Sequence, residues 1–287
     1  MSSIKLENKK SQLHVSMLGT ISACGIQFQR RYGARFGIWP EEEIIPPGIA
    51  LVIGISTHKA IQCNLDNKIR DGELLPREEV KQIARDAFSG IWQGGMTFSE
   101  EEAQNMSATQ SAAIDMTIRL SDLHYTQLAP KLNPEAVEEP FVIELENYPF
   151  DLAGQIDIRE SYKSKNNDIY SLIRDTKTSG KTPSADTIRS IQMAMYSLGH
   201  KVLHKKLPDR VFLDFLVKTK TPKLVILDAE PEEKWIAPLY HRIERFAEII
   251  EAVKSGKQAL TPANPDDWRC QERWCGYAQT CKYWSGR

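Results

Sequence analysis

The chain has 287 residues, 41% apolar and 26% charged, enough for one large domain or two small ones with a sizeable core and ordinary for a soluble globular protein. Its 37 Lys and Arg against 38 Asp and Glu leave a formal net charge of −1, which excludes a global positive field. Any nucleic-acid binding must therefore use a local basic groove. Met1 to Gln12 is polar and mixed in charge, and no run has the apolar length to cross a bilayer, so a cytoplasmic protein with reduced cysteines is expected.

Ser16 to Tyr32 reads as a helix with Leu18, Ile21, Cys24 and Phe28 near one face. Pro46-Pro47-Gly48 breaks the chain, a helix with His58, Ile61 and Leu65 starts near Ile55, and Asp66 to Glu73 reads as a charged loop. Arg77 to Trp92 and Glu100 to Leu128 are amphipathic. The second opens with Ser99 as N-cap and acidic residues that suit the positive end of a helix dipole. From Glu138 the pattern changes to strands at Pro140 to Glu146, Asp151 to Glu160 and Ile169 to Lys177. A helix from Ser184 to Leu203, strands at Val211 to Thr219 and Lys223 to Leu227, and a helix from Glu232 to Ser255 complete the pattern. Helices first and then a sheet flanked by helices predict an α/β core with a helical insertion.

Two short strands carry the chemistry: Gly154-Gln155-Ile156-Asp157, and Ile173-Arg174-Asp175-Thr176-Lys177. Residues i and i+2 of a strand share a face, so Asp175 and Lys177 project together, and a hairpin partner can bring Asp157 beside them. Carboxylates that share a Mg²⁺ or Mn²⁺ ion, with an ammonium close by, suit phosphodiester hydrolysis. The plain alternative is a set of solvated strand-end residues, because a D-x-K tripeptide is common by chance. Gln192 and Tyr196, one helical turn apart on the following helix, can face the same point, although Ile188, Ile191 and Met195 make that helix readable as core alone. His58 can complete a carboxylate site with imidazole, a donor that suits Mn²⁺ better than Mg²⁺; alone it reads as a core histidine.

Ser179-Gly180-Lys181-Thr182 mimics the end of a phosphate-binding loop, but Asp175 stands where that motif needs glycine, so no ATPase is implied. Lys218, Lys220 and Lys223 read either as a phosphate track or as a solvated sheet edge. Cys270, Cys275 and Cys281 crowd the tail; with the distant Cys24 they form a set of four sulfurs suited to Zn²⁺ or an iron–sulfur cluster. Cys63 is left as a small buried hydrophobe.

In this order the motifs resemble those of the PD-(D/E)XK nuclease superfamily, in particular its RecB-like iron–sulfur branch, which includes CRISPR-associated RecB-like exonucleases and phage nucleases. The resemblance runs from about Ser16 to the C-terminus. It implies one restriction-endonuclease-like domain over 1–287: a central mixed sheet flanked by helices, a helical insertion at 66–133 and a cysteine-rich segment at 262–287 paired with Cys24. It makes His58, Asp157 and Asp175, with the Thr176 carbonyl, ligands of Mg²⁺ or Mn²⁺, and gives Lys177, Gln192 and Tyr196 catalytic or DNA-contacting roles. Cys24, Cys270, Cys275 and Cys281 would hold a structural [4Fe–4S] cluster, although the gap from Cys270 to Cys275 is wider than the branch's usual C-x-x-C and keeps Zn²⁺ in view. The activity implied is a metal-dependent DNA exonuclease. An endonuclease or nick-processing enzyme, or a catalytically silent DNA-binding recombination accessory protein, is the alternative. DNA is the expected partner, with helicase, recombination or adaptation proteins and a second copy of the chain as further partners.

Overall fold

The computed structural model describes residues 10–264, 266–272, 274–284 and 286; the polar stretch 1–9 lies outside them. Six strands form one mixed sheet among the described residues. Strand β1 (Ser11–Leu13) is followed by helices α1 (Val15–Ala23), α2 (Gly25–Tyr32), α3 (Ile49–Asp71), α4 (Arg77–Gln93), α5 (Glu100–Gln104) and α6 (Met106–Gln127). Strands β2 (Pro134–Ile143), β3 (Phe150–Lys163) and β4 (Ile169–Ser179) come next, then α7 (Ile191–His204), β5 (Arg210–Val217), β6 (Lys223–Ala229) and α8 (Ala237–Lys254).

The sheet runs β1-β3-β4-β5-β6, with β2 along the other side of β3. β1 lies parallel to β3 and β5 parallel to β4, while the β2–β3, β3–β4 and β5–β6 pairs are antiparallel. On one face α1, α2, α7 and α8 bury Met17, Phe28, Met193 and Phe246 against Ile156, Leu213 and Phe215. On the other, α3, α4 and α6 bury Val52, Phe88 and Leu120 against Ile158 and Leu216. The alternation of Leu213 and Phe215 with Leu216 along β5 follows from the two-residue strand period. The expected central mixed sheet flanked by helices is the architecture observed. No helix among the described residues is long and apolar enough to cross a membrane.

Several element boundaries differ from the sequence expectation, each for a local reason. The helix expected over Ser16 to Tyr32 divides at Cys24, whose extended backbone (φ −157°, ψ 108°) ends α1 and caps α2. Helix α3 starts at Ile49 behind Gly48 and absorbs most of the expected loop at Asp66 to Glu73, stopping at Gly72 with φ +80°. Lys68 holds its last turns in place by donating to the carbonyls of Ala129, Pro130 and Leu132 at 3.0, 3.2 and 2.7 Å. The helix expected over Glu100 to Leu128 divides at Asn105, whose side chain caps α6 at Ala108. The one expected from Ser184 opens as a 3₁₀ turn, Ala185–Arg189, before α7. Cys63 is half-buried rather than buried.

Candidate metal centre

The site lies at a fork in the sheet. β3 and β4 pair from Lys163↔Ile169 to Ile158↔Arg174, and that ladder stops at the point where Asp157 and Asp175 would face each other. The other end of this edge of β3 pairs with β1 at residues 150–152, so Asp157 lies on the stretch between the two partners. The Thr176 N–H, freed from the ladder, donates to Asp157 Oδ2 at 3.0 Å.

β2 and β3 also change face here. Ile156 packs on the α7–α8 side and Ile158 on the α3 side, although residues two apart normally share a face. Phe141 and Val137 on β2 divide in the same way. Between them Glu138 has φ +53°, a left-handed backbone that costs a non-glycine residue about 1 kcal/mol or more. Its carbonyl accepts from Gln155 Nε2 at 2.9 Å. Glycine at 154 is a packing requirement, because a Cβ there would stand 2.3 Å from the Phe141 ring.

Side chains from both helical layers converge on the fork. His58 of α3 places Nδ1 3.5 Å from Asp157 Oδ2. One ligand atom each from His58, Glu138 and Asp157 lie within 4.8 Å of one another. Asp175 is fully buried beside them. Its Oδ1 accepts from Lys177 Nζ at 2.8 Å and from Gln192 Nε2 at 3.0 Å. Oδ2 also lies 2.8 Å from Lys177 Nζ but makes no hydrogen bond. Gln192 donates again to the Tyr196 hydroxyl at 2.9 Å, and Tyr196 is only 7% exposed. Tyr196 therefore orients Gln192 from inside the core and does not line the groove of about 650 Å³ that His58, Glu138 and Lys177 share. Thr176 is buried, close enough for its backbone to hydrogen-bond both His58 and Asp157.

Burial, with Glu138 assisting, pushes the Asp157 carboxyl up to about 6 against the opposing pull of Lys177. Burial and then the Asp157 charge push Asp175 up to about 7, again against Lys177. Burial and then Asp175 raise Glu138. His58 is lowered, burial outweighing the attraction of Asp175. Such carboxylates hold protons that a divalent cation can replace. The donor set of imidazole and carboxylate oxygens therefore fits Mn²⁺ or Mg²⁺.

The sequence-expected His58, Asp157, Asp175, Thr176, Lys177, Gln192 and Tyr196 thus come together. Glu138 was missed; the only signal was a second acidic residue before Pro140, and nothing local marks its left-handed backbone. Of the three lysines beyond the site, Lys218 lines the same groove, whereas Lys220 and Lys223 do not. Ser179 and Lys181 close a tight turn on each other, which is no phosphate-binding loop.

From the two ends of the chain, Cys24 and Cys270, Cys275 and Cys281 come together to line one small cavity of about 30 Å³. Cys24 Sγ accepts the N–H groups of Gln27 and Ala263, each at 3.4 Å. Gly25 permits this approach, since a Cβ there would stand 2.8 Å from the Thr261 carbonyl oxygen. Burial and neighbouring thiols raise the Cys270 thiol, and burial leads the rise at Cys275, so these two thiols resist ionising without a cation. An independent clamp holds the segment: Arg30 donates to Thr280 Oγ1 at 2.7 Å, pairs with Glu43 and lies 4.5 Å above the Tyr277 ring centroid.

No protein-family model matches this chain, and no curated protein matches it. Among solved structures it is similar to a "Putative exonuclease" from Eubacterium rectale, at 15% identity and a TM-score of 0.51, over 100% of this chain and 95% of the other. At that identity the likeness shows the fold alone. A second structure, SSO0001, aligns over 84% of this chain and 88% of its own with 13% identity and a TM-score of 0.32, too distant to carry an argument.

Proposed function

We propose that the protein is a divalent-metal-dependent nuclease acting on DNA. The observation that carries this reading is the buried Asp175, one oxygen bound by Lys177 and Gln192 and the other 2.8 Å from the same ammonium, beside His58, Glu138 and Asp157. His58, Asp157 and Asp175 would hold Mn²⁺ or Mg²⁺, with Glu138 and the Thr176 carbonyl as further oxygen donors. Bound there, the ion would polarise the scissile phosphate and lower the pKa of the attacking water.

The remaining work falls to side chains of this chain. Lys177 places an ammonium where negative charge develops on the phosphate. Gln192 spends both amide hydrogens on Asp175 and Tyr196. Its Oε1 is then the atom that can accept a hydrogen bond from a water, and the amide orientation follows from Asp175 being an acceptor. Tyr196 restrains that amide.

Exonuclease action is the form we favour, from the motif resemblance and the name of the E. rectale neighbour. End-labelled linear DNA and closed circular single strands, each with Mn²⁺ or Mg²⁺, provide the test. Shortening of the linear strand with the circle intact, abolished in Asp175→Ala, is expected. If every DNA form survives both ions, the enzyme reading fails, and a cut circle means an endonuclease.

For the cysteines we infer a structural [4Fe–4S] cluster, supported by convergence of the four thiols on one cavity and by the same resemblance. Broad absorption near ~400 nm with bound iron is expected. A colourless protein with stoichiometric zinc assigns the site to Zn²⁺ instead.

A further inference from the structure

Two long strands edge the sheet, β2 and β6. β2 is poorly built to take another strand: Pro134 and Pro140 lack donors, Glu138 is left-handed, and the register shifts between Pro134 and Ala136. β6 has none of these features. It pairs with β5 without a break from Val217↔Lys223 to Val211↔Ala229. Leu224, Val225, Ile226 and Leu227 at its centre carry no charge, and Ile226 is 43% exposed. Among the described residues, nothing hydrogen-bonds the backbone groups that β6 turns away from β5. Such an edge is a ready template for another strand.

The charges beside β6 select the strand that fits. Lys220 and Lys223, at its start, are exposed and have no ion pair among the described residues. At its end Asp228 and Glu230 share one guanidinium, that of Arg210, which leaves negative charge in surplus, and Glu232 and Glu233 follow. A parallel copy of β6 would set like charges together, whereas an antiparallel copy sets the basic end of each chain beside the acidic end of the other. A two-fold axis normal to the sheet gives the antiparallel arrangement, keeps each face on its own side and closes the assembly at two copies. Centred on Ile226, the whole strand pairs, with about six to eight backbone hydrogen bonds. Ile226, on the same face as Leu224, then meets its counterpart on the α6 side, and Val225 meets Leu227 on the α7 side. We propose that β6 is a homodimerisation edge, along which a second copy of this chain joins its sheet to this one, antiparallel about Ile226. β5 stands between this seam and Asp175 on β4, so dimerisation does not depend on the nuclease reading.

Sedimentation velocity of the full-length protein over about 1–200 µM is the test. The mass is expected to rise with concentration from 32.6 kDa toward twice that value, and the dimer to weaken as salt screens its charged ends. Ile226→Lys sets two ammonium groups against each other at the axis and should raise the dimer Kd about tenfold or more. Lys220→Glu/Lys223→Glu makes both ends acidic, and Glu230→Lys/Glu232→Lys makes both ends basic. Each of these alone should sediment as a monomer, and an equimolar mixture should form a heterodimer, since every end then faces its opposite. All the altered positions are exposed, and the thermal midpoint at the lowest concentration checks each fold. If Ile226→Lys does not fold, the charge-reversed pair decides. The proposal is overturned if the wild type keeps the single-chain mass throughout, if Ile226→Lys dimerises as tightly as the wild type, or if the mixed variants stay monomeric.

Discussion

Asparagine at position 175 should stabilise the metal-free protein and abolish its response to divalent cations. Asp175 is fully buried, and its carboxyl is pushed from 3.8 to about 7 by burial first and Asp157 second, with Lys177 pulling the other way. The folded protein holds this proton more tightly than the unfolded chain does. Stability is therefore lost as pH rises from about 4 to about 7 and is level above that window. A rise of about 3 units corresponds to at most ~4 kcal/mol. Asn keeps an oxygen for Lys177 and Gln192 but puts an amide where Oδ2 faces Lys177 Nζ at 2.8 Å, so a gain of only about 1–2 kcal/mol is expected at pH 8. For a chain of this size that is roughly 2–6 °C in the thermal midpoint. Melting curves from pH 4 to 8 in EDTA should show the advantage of Asp175→Asn growing with pH. Added Mn²⁺ should stabilise the wild type more at pH 8 than at pH 6, because protons compete for Asp157 and Asp175, and should barely move the variant. A pH-independent difference, a loss of stability at pH 8, or equal stabilisation of both proteins by Mn²⁺ would refute the reasoning.

Four other substitutions probe three further parts of the structure. Glu138→Gly removes a left-handed non-glycine backbone and a carboxylate together, so the apo protein should gain about 0.5–1 kcal/mol or stay level while Mn²⁺ affinity, read by calorimetry, falls about tenfold or more. Arg174→Ala strands Glu160 and Asp214, which it bonds across β3, β4 and β5, and should cost roughly 3–5 kcal/mol in denaturant titration; a loss under 1 kcal/mol would mean the buried triad is not held as described. Cys24→Ser should remove the absorbance near ~400 nm and open the tail beyond residue 254 to protease while α7 and the sheet stay protected. Arg30→Ala in the same background should speed that cleavage further, because the clamp to Tyr277 and Thr280 is separate from the cysteines.

Much of this molecule was legible in the linear chain. Alternating apolar residues announced β3, β4 and β5, helical periodicity announced α4, α6, α7 and α8, and i+2 and i+4 spacings placed Asp175 with Lys177 and Gln192 with Tyr196. These features depend on near neighbours in sequence, whose relative placement the backbone period fixes. The three tail cysteines are near neighbours of this kind, whereas Cys24 meets them only through the fold.

What the tertiary structure alone decided involves residues that meet only after the sheet has closed. The β3–β4 ladder ends at Asp157 and Asp175, leaving both carboxylates at a fork, and no local pattern states where a ladder stops. Glu138 reaches His58 and Asp157 because the β2–β3 pair changes face there, at the expense of a left-handed backbone that its own sequence does not favour. Whether Leu51 and Ile55 would be buried or would line the groove with His58 depended on which face of α3 the sheet covers. Packing settles that face, since apolar periodicity marks only what a helix can bury.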